Sequence, residues 1–216
     1  MTPKEHNNPE FVEYRSPERR NIFLAEYNTV YFYIPKVAST SLKKLCAVLL
    51  GIDQKNSFHK IDFPSVPRKS LLNNDHYFKF AFVRNPYDRL VSGYFGKVVK
   101  SQEFQQKKRW KDKSFSDFIK IICGMPDEKI NVHFRPQHTF IADDKGRLLV
   151  DHVGRFERIN EDFNYIAGKA GFPEDIELPH RTSSNHSIYQ NYFTEETKNI
   201  VKERFEKDLI LFDYTF

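Results

Sequence analysis

Long apolar runs are missing from this sequence, and cysteine is scarce. No stretch approaches the roughly 18 apolar residues of a membrane-spanning helix, and residues 1–20 contain no apolar core of a signal peptide. We therefore expect a cytoplasmic protein without a transmembrane segment. Only two cysteines occur, Cys46 and Cys123. They predict buried thiols and exclude a disulfide framework or a zinc knuckle.

Glycine and tryptophan are also few, whereas phenylalanine and tyrosine are abundant. The 216 residues include eight glycines and eleven prolines, which excludes a collagenous or low-complexity chain. The 21 Phe and 11 Tyr can fill a core that has few aliphatic side chains. The formal net charge of +5 suits an anionic ligand, whether a nucleotide, a sulfated glycan or a nucleic acid.

Strand-like and helix-like segments alternate along most of the chain. Apolar, β-branched and aromatic runs predict strands at residues 29–34, 77–83 and 148–156. Helical periodicity predicts helices that begin near residues 40 and 86, and others at 116–123, 160–170 and 195–209. Gly51 and Gly171 are predicted to end the first of these helices and the helix at 160–170. The alternation indicates an α/β fold, a three-layer αβα sandwich with a mainly parallel sheet. We expect an N-terminal arm over residues 1–28 and a single domain over residues 29–216.

Ligands of such sheets bind beyond the carboxyl ends of the strands. The first loop at such a position is Pro35–Ser41, which follows the strand predicted at residues 29–34. Backbone N–H groups at the following helix start would bind an anion, with an N-cap at Ser39 or Thr40. Lys36 would place an ammonium group over that anion. The loop lacks glycine and its lysine precedes the turn, so it does not match the Walker A pattern. An ordinary capped helix with a surface lysine is the alternative.

The second loop follows the strand predicted at residues 77–83. Arg84 stands at the strand end, and Ser92 lies about two helical turns further on, so the two side chains could grip a phosphate. Asn85 is predicted to cap the helix, with Pro86 at its first position. The segment D-R at 88–89 is interpreted as a helix-end charge and a structural salt bridge. For Arg84 the alternative is an ion pair at the strand end.

Together the two loops resemble the nucleotide-binding motifs of the carbohydrate sulfotransferases typified by heparan sulfate 2-O-sulfotransferase and the chondroitin sulfotransferases. I-P-K-V-A-S-T-S is similar to that family's 5′-phosphosulfate loop, and F-V-R-N-P-Y-D-R-L-V-S-G-Y to its 3′-phosphate motif. H-F-R-P-Q at 133–137, D-H-V-G-R-F-E at 151–157 and the closing F-E-K-D-L-I-L-F-D-Y also fit. The resemblance runs from about Thr29 to Tyr214.

The resemblance implies a P-loop NTPase-like sulfotransferase fold and a donor substrate. That donor is 3′-phosphoadenosine-5′-phosphosulfate (PAPS), and the product is 3′-phosphoadenosine-5′-phosphate (PAP), with no metal required. The acceptor would be a hydroxyl of a glycan or glycolipid. The residues implied to hold the 5′-phosphosulfate are Lys36, Val37, Ala38, Ser39, Thr40 and Ser41, with Lys36 also catalytic. Arg84 and Ser92 are implied to hold the 3′-phosphate.

Transfer to a hydroxyl needs a group that accepts the hydroxyl proton, and histidine titrates in the right range. His59 lies between the two motifs, in a place comparable to the catalytic histidine of the 2-O-sulfotransferases, and is the first candidate. His133 is the second and His76 the third, whereas His152 is predicted to pack inside a strand. Arg181, in a polar loop, is implied by the resemblance to contact the nucleotide; a solvated loop is the alternative.

Two other functions fit parts of the sequence. A P-loop kinase of a small molecule would share the fold, but the glycine-free first loop argues against it. A nucleic-acid-binding module could use the basic stretch Lys97–Lys113, which includes aromatic residues. Such a run is more often a solvated helix face. We therefore expect no nucleic-acid partner.

Overall fold

A mixed four-stranded sheet lies at the centre of the part of the chain that the structure describes. The computed structural model describes residues 21–52, 61–71, 74–107, 109–143, 145–179 and 188–216. The strands lie side by side in chain order: β1 (Asn21–Leu24), β2 (Thr29–Phe32), β3 (Phe78–Val83) and β4 (His152–Arg155). β1 pairs antiparallel with β2, whereas the β2–β3 and β3–β4 pairs are parallel. The expected α/β class and the mainly parallel sheet are confirmed.

The helices connect and flank these strands. They are α1 (Ser39–Leu49), α2 (Arg68–Leu71), α3 (Pro86–Gly93), α4 (Gln102–Gln105), α5 (Phe115–Cys123), α6 (His138–Ile141), α7 (Ile159–Ala170), α8 (Glu195–Arg204) and α9 (Glu206–Leu211). A π-helical segment, Tyr94–Val99, continues α3. Single 3₁₀ turns occupy Ala25–Tyr27, Phe156–Arg158 and Tyr189–Tyr192.

Each predicted strand is present but shorter than its apolar run. The hydrogen-bonded ladder of β2 stops at Phe32. The chain stays buried beyond that point, and Ile34 in the following loop is fully buried. Residues 21–24, which fall within the expected N-terminal arm, form β1 and are buried against β2. A tight turn joins β1 to β2 through Asn28, whose φ is 45°.

The helix ends follow local sequence signals in most places. Gly51 and Gly171 have φ of 63° and 69° at the ends of α1 and α7, so the predicted glycine stops are confirmed. The helix predicted over 195–209 is divided into α8 and α9 at Phe205, whose side chain is fully buried.

Two apolar clusters form the interior. One lies around the sheet with α1 and α7, and the other joins α3, α5 and α8 around Phe118 and Phe134. Cys46 is a buried free thiol, Cys123 a partly buried one, and burial raises the pKa of each to about 12. Within the described residues, no helix is long and apolar enough to cross a membrane.

Candidate functional site

The loop between β2 and α1 has an unusual backbone. Lys36 and Ala38 have φ of 74° and 57°, in the left-handed region that costs a non-glycine residue about 1–2 kcal/mol. Ala38 is the N-cap of α1 and makes no side-chain capping bond. The predicted N-cap at Ser39 or Thr40 is therefore wrong, because the left-handed turn starts the helix one residue earlier. Strained backbone of this kind is concentrated at functional sites.

The left-handed turn at Ala38 places the first amide N–H groups of α1 before the first hydrogen bond of the helix. The first helical bond runs from Leu42 N to Ala38 O at 3.1 Å, so the N–H groups of residues 39–41 precede it. Ser41 is buried, Ser39 and Thr40 are partly exposed, and the fully buried Val37 anchors the loop. Amides and hydroxyls grouped at the positive end of an 11-residue helix can bind an anion.

The loop after β3 has the local structure that its sequence predicts. Asn85 Oδ1 accepts a hydrogen bond of 3.0 Å from Tyr87 N, and Pro86 occupies the first turn of α3, which confirms both predictions. The Arg84 side chain is 6% exposed, and its Nε donates to Asp88 Oδ2 at 2.7 Å. The ion pair considered for Arg84 is thus present. The guanidinium also lies 4.2 Å from the centre of the Phe156 ring.

A buried glutamine fixes the backbone of Arg84. Gln137 Oε1 accepts from Arg84 N at 3.0 Å, and Gln137 Nε2 donates to Arg84 O at 2.8 Å. Gln137 N in turn donates to Asp208 Oδ2 at 2.6 Å, and Asp208 is fully buried. From the sequence, Gln137 was noted only as part of the family-like segment at 133–137. Asp208 was missed, and its one signal was its place in the closing pattern of the chain.

Arg89 joins the first loop to the segment at 133–137. Its Nε donates to Pro35 O at 3.0 Å and its Nη1 donates to Arg135 O at 2.8 Å. The predicted salt bridge is therefore replaced by bonds to carbonyl oxygens. Burial lowers the pKa of Arg89 to about 10, with the charge of Asp208 opposing that shift, so the group is cationic at neutral pH.

The two loops also meet directly. Arg84 Nη1 donates to Lys36 O at 3.4 Å, a long bond that nevertheless brings the two cationic residues together. Further along α3, Ser92 is buried and Gly93 packs against Phe134. The structure thus brings Lys36, Arg84 and the first turn of α1 into one region beyond the carboxyl ends of β2 and β3.

The family model described as "Sulfotransferase family" matches residues 19–215. This chain belongs to the sulfotransferase family. It is 27% identical to carbohydrate sulfotransferase 14 of Danio rerio, with 95% of this chain and 64% of the relative covered. The human carbohydrate sulfotransferase 14 is 28% identical over 75% of this chain and 50% of its own. Carbohydrate sulfotransferase 11 of Rattus norvegicus is 24% identical over 88% and 65%, respectively.

The chain spans about half to two thirds of the length of these curated relatives. No solved structure matches it significantly. The matched range of this sulfotransferase-family chain contains the loops after β2 and β3, the 133–137 segment and the closing helix α9.

The candidate histidines of this sulfotransferase-family chain lie in different surroundings. His133 Nδ1 lies 2.7 Å from Asn131 Oδ1, and the His133 carbonyl approaches Gly93 of α3. His76 is exposed before the start of β3, at the sheet end remote from the two loops. The His152 ring packs 4.6 Å from that of Tyr165, which confirms its structural role, and burial lowers its pKa.

His59 and Arg181 lie outside the described residues. His138, which the sequence did not single out, contacts Asp208 Oδ1 through Nδ1 at 2.7 Å. In the ranges that the structure describes, no group of three or more His, Cys, Asp or Glu side chains is placed to hold a metal ion.

Proposed function

We propose that this protein transfers a sulfuryl group from PAPS to a hydroxyl of a carbohydrate. The observation that carries the proposal is the pairing of two cationic loops at the carboxyl ends of neighbouring parallel strands, joined by Arg84 Nη1 and Lys36 O. PAPS carries an anionic group at each end of its nucleoside, which suits such a pair. The relatives named carbohydrate sulfotransferase support the carbohydrate as acceptor.

Each loop receives one end of the donor in this proposal. Lys36, Val37 and Ala38, with the start of α1 at 39–41, bind the 5′-phosphosulfate. Arg84 and Ser92 bind the 3′-phosphate, with Arg181 as a further contact. The proposed architecture is a three-layer, P-loop NTPase-like sulfotransferase fold, which the parallel β2–β3–β4 arrangement supports. The glycan or glycolipid acceptor and the cytoplasmic location belong to the proposal too.

Different residues of the chain have different roles in the proposed reaction. The acceptor oxygen forms a bond to sulfur while the bond from sulfur to the bridging phosphate oxygen breaks. Lys36 neutralises the charge that develops on that leaving oxygen. The amides at the start of α1 orient the sulfuryl oxygens. His59, or alternatively His133, takes the hydroxyl proton.

The rival functions have weaker support. A kinase would need the Walker pattern that the first loop lacks. In the basic stretch at 97–113, Phe104 and Trp110 are buried in the second apolar cluster, so these rings do not face a nucleic-acid base. Base stacking on exposed aromatic rings is what single-strand binding requires.

The proposal is tested by incubating the protein with PAPS and a library of hydroxyl compounds. Mass spectrometry should detect a sulfated carbohydrate, and calorimetry should show tighter binding of PAP than of ATP. Tighter ATP binding with phosphorylated products would establish the kinase instead. PAPS-independent binding to nucleic acid that weakens steeply with salt would favour the nucleic-acid module.

A further inference from the structure

The π-helical segment after α3 contains a glycine that the backbone does not require. Gly96 is exposed and has no positive φ. Glycine inside a helix is less favourable than alanine. Its occurrence here therefore needs a reason outside the helix, and π-helical segments themselves are frequent at functional sites.

The Lys36 side chain lies against Gly96 and explains why a glycine occurs there. A Cβ atom built on Gly96 would lie 2.5 Å from Lys36 Nζ and 3.7 Å from Lys36 Cε. Real Cβ atoms do not approach other heavy atoms within 3.0 Å. The ammonium group of Lys36 thus occupies space that is open only because residue 96 has no side chain.

The other glycines in the described helices differ from Gly96. A Cβ on Gly93 would meet the Phe134 ring at 2.9 Å, which is a packing contact in an apolar cluster. A Cβ on Gly168, in the exposed face of α7, would meet nothing within 4 Å. Within this set, only the Gly96 contact is with the lysine assigned to the leaving oxygen.

We propose that Gly96 is a positioning residue that sets the location of the Lys36 ammonium. The inference rests on the proposed function, in which that ammonium meets the leaving oxygen. An alanine would push Nζ away by about 1 Å to restore ordinary contact, since lysine is flexible and yields more readily than the helix. A displacement of that size can lower turnover about 100-fold when a catalytic group must meet a developing charge.

The test compares Gly96→Ala with Gly168→Ala in the full chain. Gly96→Ala should lower kcat about 10–100-fold, change PAP affinity less than about threefold, and keep or raise the melting temperature by about 1–4 °C. Gly168→Ala should show the same thermal effect with unchanged kcat. In a Lys36→Ala background, Gly96→Ala should change kcat less than about threefold, because the group that it displaces is gone.

Wild-type kcat for Gly96→Ala, or an equal loss with and without Lys36, would overturn the proposal. A crystal structure of Gly96→Ala provides a readout that does not depend on activity. It should show Nζ displaced from residue 96 within an unchanged helix, and Nζ at its original place would overturn the proposal. If wild-type protein shows no sulfuryl transfer, the proposed function fails, while the displaced lysine would still establish the positioning contact.

Discussion

The loops after β2 and β3 both lead from a parallel strand into a helix, but only the loop after β3 caps its helix with a side chain. After β3, Asn85 caps α3 with its own side chain, and Gln137 holds the N–H and C=O of Arg84. After β2, Ala38 offers α1 no capping side chain, and the backbone at Lys36 and Ala38 is left-handed.

The difference suits the separate roles that the proposed function gives the two loops. Contacts within the protein fix the loop after β3, so it can bind an unchanging group such as the 3′-phosphate without reorganising. In the proposed reaction, the loop after β2 offers its first amides and a long lysine to a group whose charge changes. We therefore expect changes in the first loop to affect turnover, and changes in the second to affect affinity and stability.

The strongest loss of turnover is expected at the proton acceptor. His59→Ala should reduce kcat by up to about 10⁴-fold while PAP binding stays close to normal, because the proposed reaction assigns this residue to the acceptor hydroxyl and not to the nucleotide. Turnover and calorimetry on the same preparations measure both quantities. His133→Ala is the matched comparison. If only His133→Ala loses turnover, the base lies in the 133–137 segment.

Lys36→Ala should have the next largest effect on turnover. Charge on the leaving oxygen grows only as its bond to sulfur breaks, so kcat should fall about 10²–10³-fold. PAP affinity should fall less. Lys169→Ala is the control, because this lysine lies in the last turn of α7, away from the carboxyl ends of the parallel strands. Near-native turnover of Lys36→Ala would remove the lysine from the mechanism.

Removing the contacts that Gln137 makes with the loop after β3 should lower the free energy of unfolding. Gln137→Ala leaves Arg84 N and O without their side-chain partner, and each buried unsatisfied group costs about 1–3 kcal/mol. Urea unfolding should show this loss. Gln137→Glu keeps an acceptor for Arg84 N but points a carboxylate oxygen at Arg84 O and buries a negative charge near Asp208, so a loss at least as large is expected. Equal stability of all three proteins would contradict a supporting role.

The two helix starts should respond differently to small changes. Asn85→Ala removes the cap and also the bonds that Nδ2 donates to Tyr189 Oη and Thr215 O, so the free energy of unfolding should fall by at least about 1–2 kcal/mol. Ala38→Gly relieves left-handed strain but adds unfolded-state entropy, so stability should rise by about 0.5 kcal/mol. Thermal denaturation measures both changes. A large loss in Ala38→Gly would mean that the loop is not strained.

Local rules explain which features the sequence could predict. The Asn85 cap, the proline at position 86 and the glycine stop at 171 each depend on neighbouring residues alone. The contacts around Arg84 could not be derived in this way. Gln137 is 53 residues away from Arg84, and Asp208 a further 71 residues along the chain.

The N-cap of α1 was mispredicted for a similar reason. Small hydroxyl residues at 39–41 are good caps, but the chain enters the helix through Ala38 in a conformation that alanine rarely adopts. The surrounding structure, including the bond from Arg89 Nε to Pro35 O, holds that loop in place. Tertiary contacts therefore override the local preference at this position.

Calorimetry on Arg84→Ala measures whether the second loop binds the 3′-phosphate. The account predicts that PAP binding weakens by about 2–4 kcal/mol, the range for losing one partner of a buried charge pair. Arg84→Lys is the matched variant, because it keeps the charge but loses the planar fork, and should fall in between. Binding of adenosine 5′-phosphosulfate, which lacks the 3′-phosphate, should change much less. Equal losses for both nucleotides would contradict the assignment of Arg84 to the 3′-phosphate.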